Sequence, residues 1–283
     1  MNTILEVSGL KKDFGTFHLQ DISFSLQEGC ITGFIGINGA GKTTTIKTIL
    51  GLVSNYSGTI KLFGKDIRKN ERELKNHIGI VFDEGYLYED LTLIEMKMIV
   101  SASYKSWDDS AFKNNIERFK LQLNQRISTL SKGMRMKFSI ALALSHHAEL
   151  LIMDEPTSGL DPLIRNEVMD LLLEFMKEDG KSVLFSSHIT SDLDKVADML
   201  ILINNGKILL NEEKDLLLDT HALVKGDKAL LNDHTKKLFL ALRETDYGFS
   251  GITNKRNEIK QQLKNIQIER PSIEDIMLGY VKG

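Results

Sequence analysis

Residues Gly36 to Thr43 read "GINGAGKT". The short apolar run "CITGFIGI" leads into them. "KTTTIKTILGL" leads out, with the spacing of a helix that ends near Gly51. Strand, glycine-rich loop and helix in this order, with Lys and Thr closing the loop, fit a loop that wraps backbone N–H groups around a phosphate. Side chains must be absent at Gly39 and Gly41 for that ring to close on the β-phosphate of a nucleotide. The helix directs about half a positive charge at the same point. Lys42 adds a full charge between the β- and γ-phosphates, and the Thr43 hydroxyl suits Mg²⁺.

The flanking pattern sets the fold class. "ILEVSGL" and "DISFSL" read as strands near the N-terminus, and "GTIKLFG" and "IGIVF" as further strands. From Leu91 to Leu123 the period turns helical. Met96, Ile99 and Val100 are expected on one face, and Phe112, Ile116 and Phe119 on another. A helix after Ser131 carries Met134, Phe138 and Leu142. "ELLIMDEP" is a buried-strand pattern, "LIRNEVMDLLLEFMKEDG" a helix ending at Gly180, and "KSVLFSSH" another strand. Strands alternating with helices predict a mainly parallel α/β core. The helical stretch from about 85 to 145 is expected to be an inserted subdomain. From residue 211 to 283 the chain is charged and weakly patterned, an accessory extension in which "KKLFLALRE" and "IEDIMLGYV" are expected to form short amphipathic elements.

"LLIMDEP" delivers two acids to the end of an apolar strand, where ligands bind in such sheets. Asp154 is expected to hold Mg²⁺, and Glu155 to orient or activate the water that attacks the γ-phosphate. Farther along, "LSKGM" (Leu130–Met134), "SGLD" (Ser158–Asp161) and "SSH" (ending at His188) complete a set. With "GINGAGKT" and "LLIMDEP", this order and separation resemble the ATP-binding subunits of ABC transporters. The resemblance covers about residues 4 to 210. It implies a P-loop NTPase core with a mainly parallel sheet, an N-terminal antiparallel β region and the helical insert. Residues 1–210 then form the ATP-binding domain.

The resemblance also implies roles. Gly36, Asn38, Gly39, Ala40, Gly41, Lys42, Thr43 and Thr44 would cradle ATP, with Phe14 stacking on adenine and Phe17 as a rival. Thr43, Asp154 and Asp83 would face Mg²⁺. Lys42, Glu155 and His188 would carry the chemistry. Two such subunits pack head to tail in the family, so Ser131 and Gly133 would act on the nucleotide held by a second subunit, and Asp161 would also face ATP. "SKGM" and the C-terminal "PSIEDIMLGYVKG" are similar to bacterial exporter subunits with separate membrane chains, including those that remove peptides or antibiotics. Two positions depart from the family pattern. Asp83 stands where glutamine is usual. Lys132 and Met134 flank Gly133 where many members have glycine and glutamine. Asp83 is expected to take the glutamine's place, and Tyr86 and Tyr88 are candidates to touch a membrane partner.

Composition narrows the partners. A net charge of -3 gives no global case for nucleic acid. Cys30 is the single cysteine, so no intrachain disulfide forms. No secretory pattern opens the chain. The longest apolar candidate, "FSIALALSHHAELLIMDEP", is interrupted by His146, His147 and Glu149. The two histidines read as a helix end, without zinc spacing. The expected location is the cytoplasmic face of the cell membrane, held by integral permease subunits and paired with a second ATP-binding subunit. Non-transport ABC ATPases acting on ribosomes or DNA, or a nucleotide-binding regulatory partner, are the alternatives.

Overall fold

The computed structural model describes residues 2–83 and 86–282. Gly85, the expected start of the helical insert, lies outside them. The chain opens with β1 (Thr3–Asp13) and β2 (His18–Gln27), an antiparallel pair. Leu5, Val7 and Leu10 of β1 turn inward. β3 (Ile31–Ile35) is buried at every position, as a central strand must be. It feeds α1 (Lys42–Ile49), then β4 (Ser57–Leu62), β5 (Lys65–Asp66), α2 (Ile67–Lys75) and β6 (Ile78–Phe82). The insert follows as α3 (Leu93–Ser101), α4 (Asp109–Arg118) and α5 (Lys132–Leu144). The core resumes with β7 (Leu150–Asp154), α6 (Pro162–Phe175), β8 (Ser182–Ser187), α7 (Thr190–Val196), β9 (Met199–Asn204), β10 (Lys207–Glu213) and α8 (Lys214–Thr220). The last stretch holds β11 (Ala222–Gly226), α9 (Asp233–Lys236), β12 (Ala241–Thr245), β13 (Gly248–Thr253), α10 (Arg256–Gln262), β14 (Gln267–Glu269) and α11 (Ile273–Lys282).

These strands make three sheets. An antiparallel sheet runs β2-β1-β4-β5. The main sheet runs β10-β9-β3-β8-β7-β6, parallel from β9 through β6, with β10 antiparallel at one edge. The expected α/β class, parallel core and N-terminal antiparallel region are all present. One apolar cluster fills the space between the main and N-terminal sheets, around Phe24, Phe34 and Ile46. Another lies on the opposite face, around Phe185, Val168 and Leu193. The insert has its own cluster, centred on Phe112, Ile116 and Phe138.

Three local expectations need correction. Ile99 is 49% exposed while Met96 is buried. Ile99 stands about 60° round the helix from Met96, on the side away from Leu93 and the half-buried Val100, so it falls outside the buried stripe. α6 stops at Phe175, short of Gly180, because Lys177, Glu178 and Asp179 have no apolar side chain to bury. "KKLFLALRE" is not one element: α9 ends at Lys236, and the chain then turns into β12.

The stretch after α8 forms the third sheet, β12-β13-β11-β14, over a cluster that includes Val224, Phe249 and Ile259. Residue 210, the expected domain edge, falls inside β10, which stays paired with β9 as far as Glu213. Leu217 of α8 and Ile273, Ile276 and Met277 of α11 join the core cluster beside α7. A Cβ on Gly279 of α11 would stand 2.9 Å from Ile252, so α11 lies tight between the third sheet and the core.

Candidate active site

The parallel register aligns the ends of four strands. Ile35 is level with Ser187, Asp154 with Ser186, and Phe82 with Asp154. The residues that leave these strands therefore gather along one edge, the edge at which ligands bind in such sheets. They are Gly36, Asp83, Glu155 and His188.

The glycine loop is shaped by backbone geometry. Gly39 and Gly41 have φ of 81° and 113°, in the region that favours glycine. A Cβ on Gly39 would meet open space, whereas one on Gly41 would stand 2.9 Å from Phe17. Gly36 has a reason that periodicity did not reveal: its Cβ would lie 2.4 Å from the Ile203 carbonyl. Asn38 and Gly39 form an exposed rim, while Ala40, Gly41 and Lys42 are buried, with Thr43 and Thr44 half-buried at the helix start.

Lys42 is 5% exposed. Its ammonium donates to the carbonyls of Gly36 at 2.7 Å and Ile37 at 3.3 Å. It also lies 3.0 Å from Glu155 Oε1, an ion pair without the alignment of a hydrogen bond. Glu155 Oε2 accepts from His188 Nδ1 at 2.7 Å and from the His188 backbone N–H at 3.3 Å. A carboxylate only accepts, so Nδ1 carries the proton of this hydrogen bond, and the ring is held with Nε2 at its far side. Glu155 has φ of 52°, a conformation that a non-glycine residue holds only when its surroundings impose it.

Asp154 is buried at the end of β7. Burial pushes its carboxyl above the ordinary aspartate range, against the pull of hydrogen bonds from Ser186 and Thr43. The Ser186 hydroxyl donates to Asp154 Oδ1 at 2.6 Å and accepts the Glu155 backbone N–H at 3.1 Å. Sequence reasoning missed Ser186. The signal was there: two serines follow the apolar run "VLF" at the end of the strand, and a polar side chain that is fully buried needs a partner.

Other expected residues gather into a second group. Ser131 caps α5 by accepting from Met134 N–H, and Asp161 caps α6 by accepting from Leu163 and Ile164. Both are exposed. A Cβ on Gly133 would meet Ile164 at 3.3 Å, so the two helix starts lie side by side. Asp83 faces this group: its Oδ1 is 2.7 Å from Lys132 Nζ. Phe14 is 44% exposed at the end of the β1–β2 hairpin, with Lys12 Nζ 5.5 Å from its ring centre. Phe17, its rival, is tucked under the glycine loop. His146 and His147 follow α5, as expected. His146 is buried and stacked on Tyr104, and His147 pairs with Asp108.

A parallel sheet whose strand ends hold a glycine loop, a buried lysine and adjacent carboxylates defines a nucleotide-hydrolysing class. A family model for the ABC transporter matches residues 19–158. The bacitracin transport ATP-binding protein of Bacillus licheniformis is 36% identical over 212 residues, covering 74% of this chain and 69% of that protein. The linearmycin resistance ATP-binding protein of Bacillus subtilis is 36% identical over 212 residues, covering 73% and 68%. A solved ATP-binding subunit of an ABC transporter superposes with a TM-score of 0.69 at 28% identity, over 77% of this chain and 92% of that one. The chain belongs to the ABC transporter family as an ATP-binding subunit, and it is an ATPase whose hydrolysis powers transport. Among the described residues, no helix is long and apolar enough to cross a membrane.

Proposed function

We propose that this chain drives export through a separate membrane-spanning permease, by closing head to tail on a second ATP-binding subunit around two ATP molecules. One observation carries the reading: Glu155 is held between Lys42 and His188 at the strand ends. An incoming triphosphate carries several negative charges and competes with Glu155 for Lys42. Lys42 then turns to the β- and γ-phosphates. Glu155 is freed to take the proton of the attacking water, and His188, oriented through Nδ1, contacts the γ-phosphate. The backbone from Gly36 through Thr44 cradles the phosphates, and the exposed ring of Phe14 takes the base.

The residues present fit Mg²⁺. The Thr43 hydroxyl and the buried Asp154 carboxylate are neighbouring hard-oxygen donors, and burial, which raises the proton affinity of Asp154, favours a cation beside it. Thr43 and Asp154 would hold the ion. When bound, Mg²⁺ offsets charge on the β- and γ-phosphate oxygens. Asp83 joins them only by leaving Lys132. An Asp83→Ala chain with an unchanged Mg²⁺ titration would remove it from the metal.

Ser131 and Gly133, with Asp161 beside them, are assigned to the nucleotide of the partner subunit; Ser131 and Asp161 are exposed, as contact with a second subunit requires. The permease is assigned to a groove of about 800 Å³ between the core and the insert, lined by Leu52, Phe82, Tyr86, Met96, Tyr104 and Arg135. None of the glycine loop lines it, so it is not the nucleotide seat. Tyr86 stacks on Phe82 at 3.9 Å, and Tyr88 is 63% exposed. The subunit would work at the cytoplasmic face. The cargo assigned is an antibiotic, since one Bacillus relative is a bacitracin transport protein and another a linearmycin resistance protein. We divide the chain into an ATP-binding domain with its helical insert and a C-terminal accessory extension, with β10 and α8 on the ATP-binding side.

Purification from native membranes in mild detergent tests the reading. A stoichiometric multi-spanning chain is expected with this one. Recovery only with ribosomes or DNA-processing proteins would overturn export and leave the ATPase intact. A mixed dimer of Ser131→Arg and Lys42→Ala chains tests the trans assignment. One of its two nucleotide seats would join both defects and the other neither, so one working seat is expected. Loss of both would sink it.

A further inference from the structure

Among the described residues, the strand-end edge carries three carboxylates, and the core supplies partners for two of them. Asp154 has Ser186 and Thr43, and Glu155 has Lys42 and His188. Asp83 is one residue beyond Phe82, which is level with Asp154, so it stands in the row of Glu155 one strand away. Neighbouring strands are about 4.8 Å apart. A carboxylate there repels both Glu155 and any phosphate seated on the glycine loop. Its Oδ1 is closed off from water and meets no aligned hydrogen-bond donor among the described residues. What offsets it is Lys132 Nζ, 2.7 Å away, from the first residue of α5. The lysine also covers the loop before α6: a Cβ on Gly159 would lie 3.2 Å from its Nζ and 3.7 Å from its Cδ. Lys132 therefore sits where the end of β6, the start of α5 and the "SGLD" loop meet. The pair is only about one-third exposed, so water screens it in part.

We propose that Lys132 is a positioning residue for Asp83: the pair neutralises the fourth strand end and ties the helical insert to the nucleotide edge, between Ser131 and Gly133. The two departures from the family pattern are then one device. A carboxylate replaces a neutral amide and a cation replaces a glycine, so the net charge near the phosphates does not change. Because the tie is made by the residue between Ser131 and Gly133, it also sets how those two are presented to a partner. The inference rests on the ATPase reading only for what binds at the edge.

ATP binding by the full chain in EDTA, measured by equilibrium dialysis, tests the pair without hydrolysis. Lys132→Ala leaves Asp83 unpaired and is expected to weaken ATP about fivefold. Lys132→Met, which keeps the stem over Gly159, should do the same. In EDTA, where a metal role of Asp83 does not enter, adding Asp83→Ala to Lys132→Ala should restore affinity to within about twofold of the unaltered chain. The Lys132→Ala defect should shrink near 1 M salt, where charges are screened beyond about 3 Å. A double variant as weak as Lys132→Ala, or an Asp83→Ala chain that loses affinity equally, would overturn the pairing. Thermal unfolding of the same nucleotide-free chains decides it separately: non-additive losses support the pair, and additive losses overturn it. An unaltered chain that binds no ATP would sink the ATPase reading, and the unfolding cycle would still judge the pair.

Discussion

The strand-end edge and the C-terminal sheet are built from the same kinds of residues to opposite ends. In the C-terminal sheet, the polar groups that cap and cross-link its elements have partners, and an apolar cluster packs beneath it. Asn232 and Thr235 cap α9 reciprocally, and Thr253 donates to the Leu238 carbonyl at 2.6 Å. Lys228 and Lys236 share Glu244 at the surface, and Phe239 meets Phe249 edge-on. At the strand-end edge the accounts stay open. A lysine is buried, Glu155 sits at positive φ, Glu155 Oε1 lacks an aligned donor, and Asp154 is held above its ordinary range. Each of these costs stability that only a ligand can return. The difference separates a region shaped for holding together from one shaped for holding something else.

The largest way to break the comparison is Glu155→Gln. Losing a positioned base costs about 10²–10⁴ in rate, so kcat is expected to fall by that factor while ATP still binds. Unfolding should shift by no more than about 1–3 kcal/mol, because Lys42 loses its counter-charge but keeps its bonds to Gly36 and Ile37. Normal turnover in this variant would remove Glu155 from the chemistry. Phe249→Ala is the mirror case. Removing a buried ring costs about 3–5 kcal/mol of stability. Turnover per folded molecule, measured at low temperature, should stay within about twofold. A large fall in kcat would mean that the two regions are energetically one.

Lys42→Ala falls between these two. It removes the cation that faces the phosphates and leaves Glu155, 14% exposed, without its counter-charge. Weaker ATP binding and a stability loss of about 1–3 kcal/mol are expected together. Loss of binding with unfolding unchanged would show that the pair carries no structural weight.

The same contrast explains what could be read from the chain. The edge was legible because chemistry forces residue types at set intervals. "GINGAGKT", "LLIMDEP" and "SSH" each end a strand, and the parallel register then brings Lys42, Asp154, Glu155 and His188 together. Ser186 and Lys132 lie within motifs but gain partners only in three dimensions: the Ser186 hydroxyl turns to Asp154 across a strand pair, and Lys132 reaches the end of β6. The C-terminal sheet was not legible. Its strands have three to six residues and their burial is uneven, so no period of two persists long enough to separate from a loop. Register there comes from cross-strand packing between distant segments, such as β11 between β13 and β14. α11 was expected as an amphipathic element, but its dock against α7 depends on a fold the sequence pattern does not display.

The smallest effect sharpens the seam between the two regions. His221 is buried where α8 meets α11, with Nδ1 2.9 Å from the Leu217 carbonyl and Nε2 3.1 Å from the Tyr280 hydroxyl. Burial pulls its pKa below the ordinary 6.5. The unfolded chain therefore takes up a proton first as pH falls, and protonation favours undocking. This contribution is fully present above about 6.5 and is lost as pH drops from there toward the lowered folded value. The loss is at most about 1.4 kcal/mol per pH unit. Hydrogen exchange should show the α11 amides losing protection between pH 7 and 5 while those of β7 keep theirs. Tyr280→Phe removes one hydrogen bond and should cost about 1 kcal/mol at neutral pH. His221→Gln should flatten the acid dependence of α11. An acid loss that persists in His221→Gln would move the sensitivity elsewhere, with His146, also buried and shifted downward, as the next group to replace.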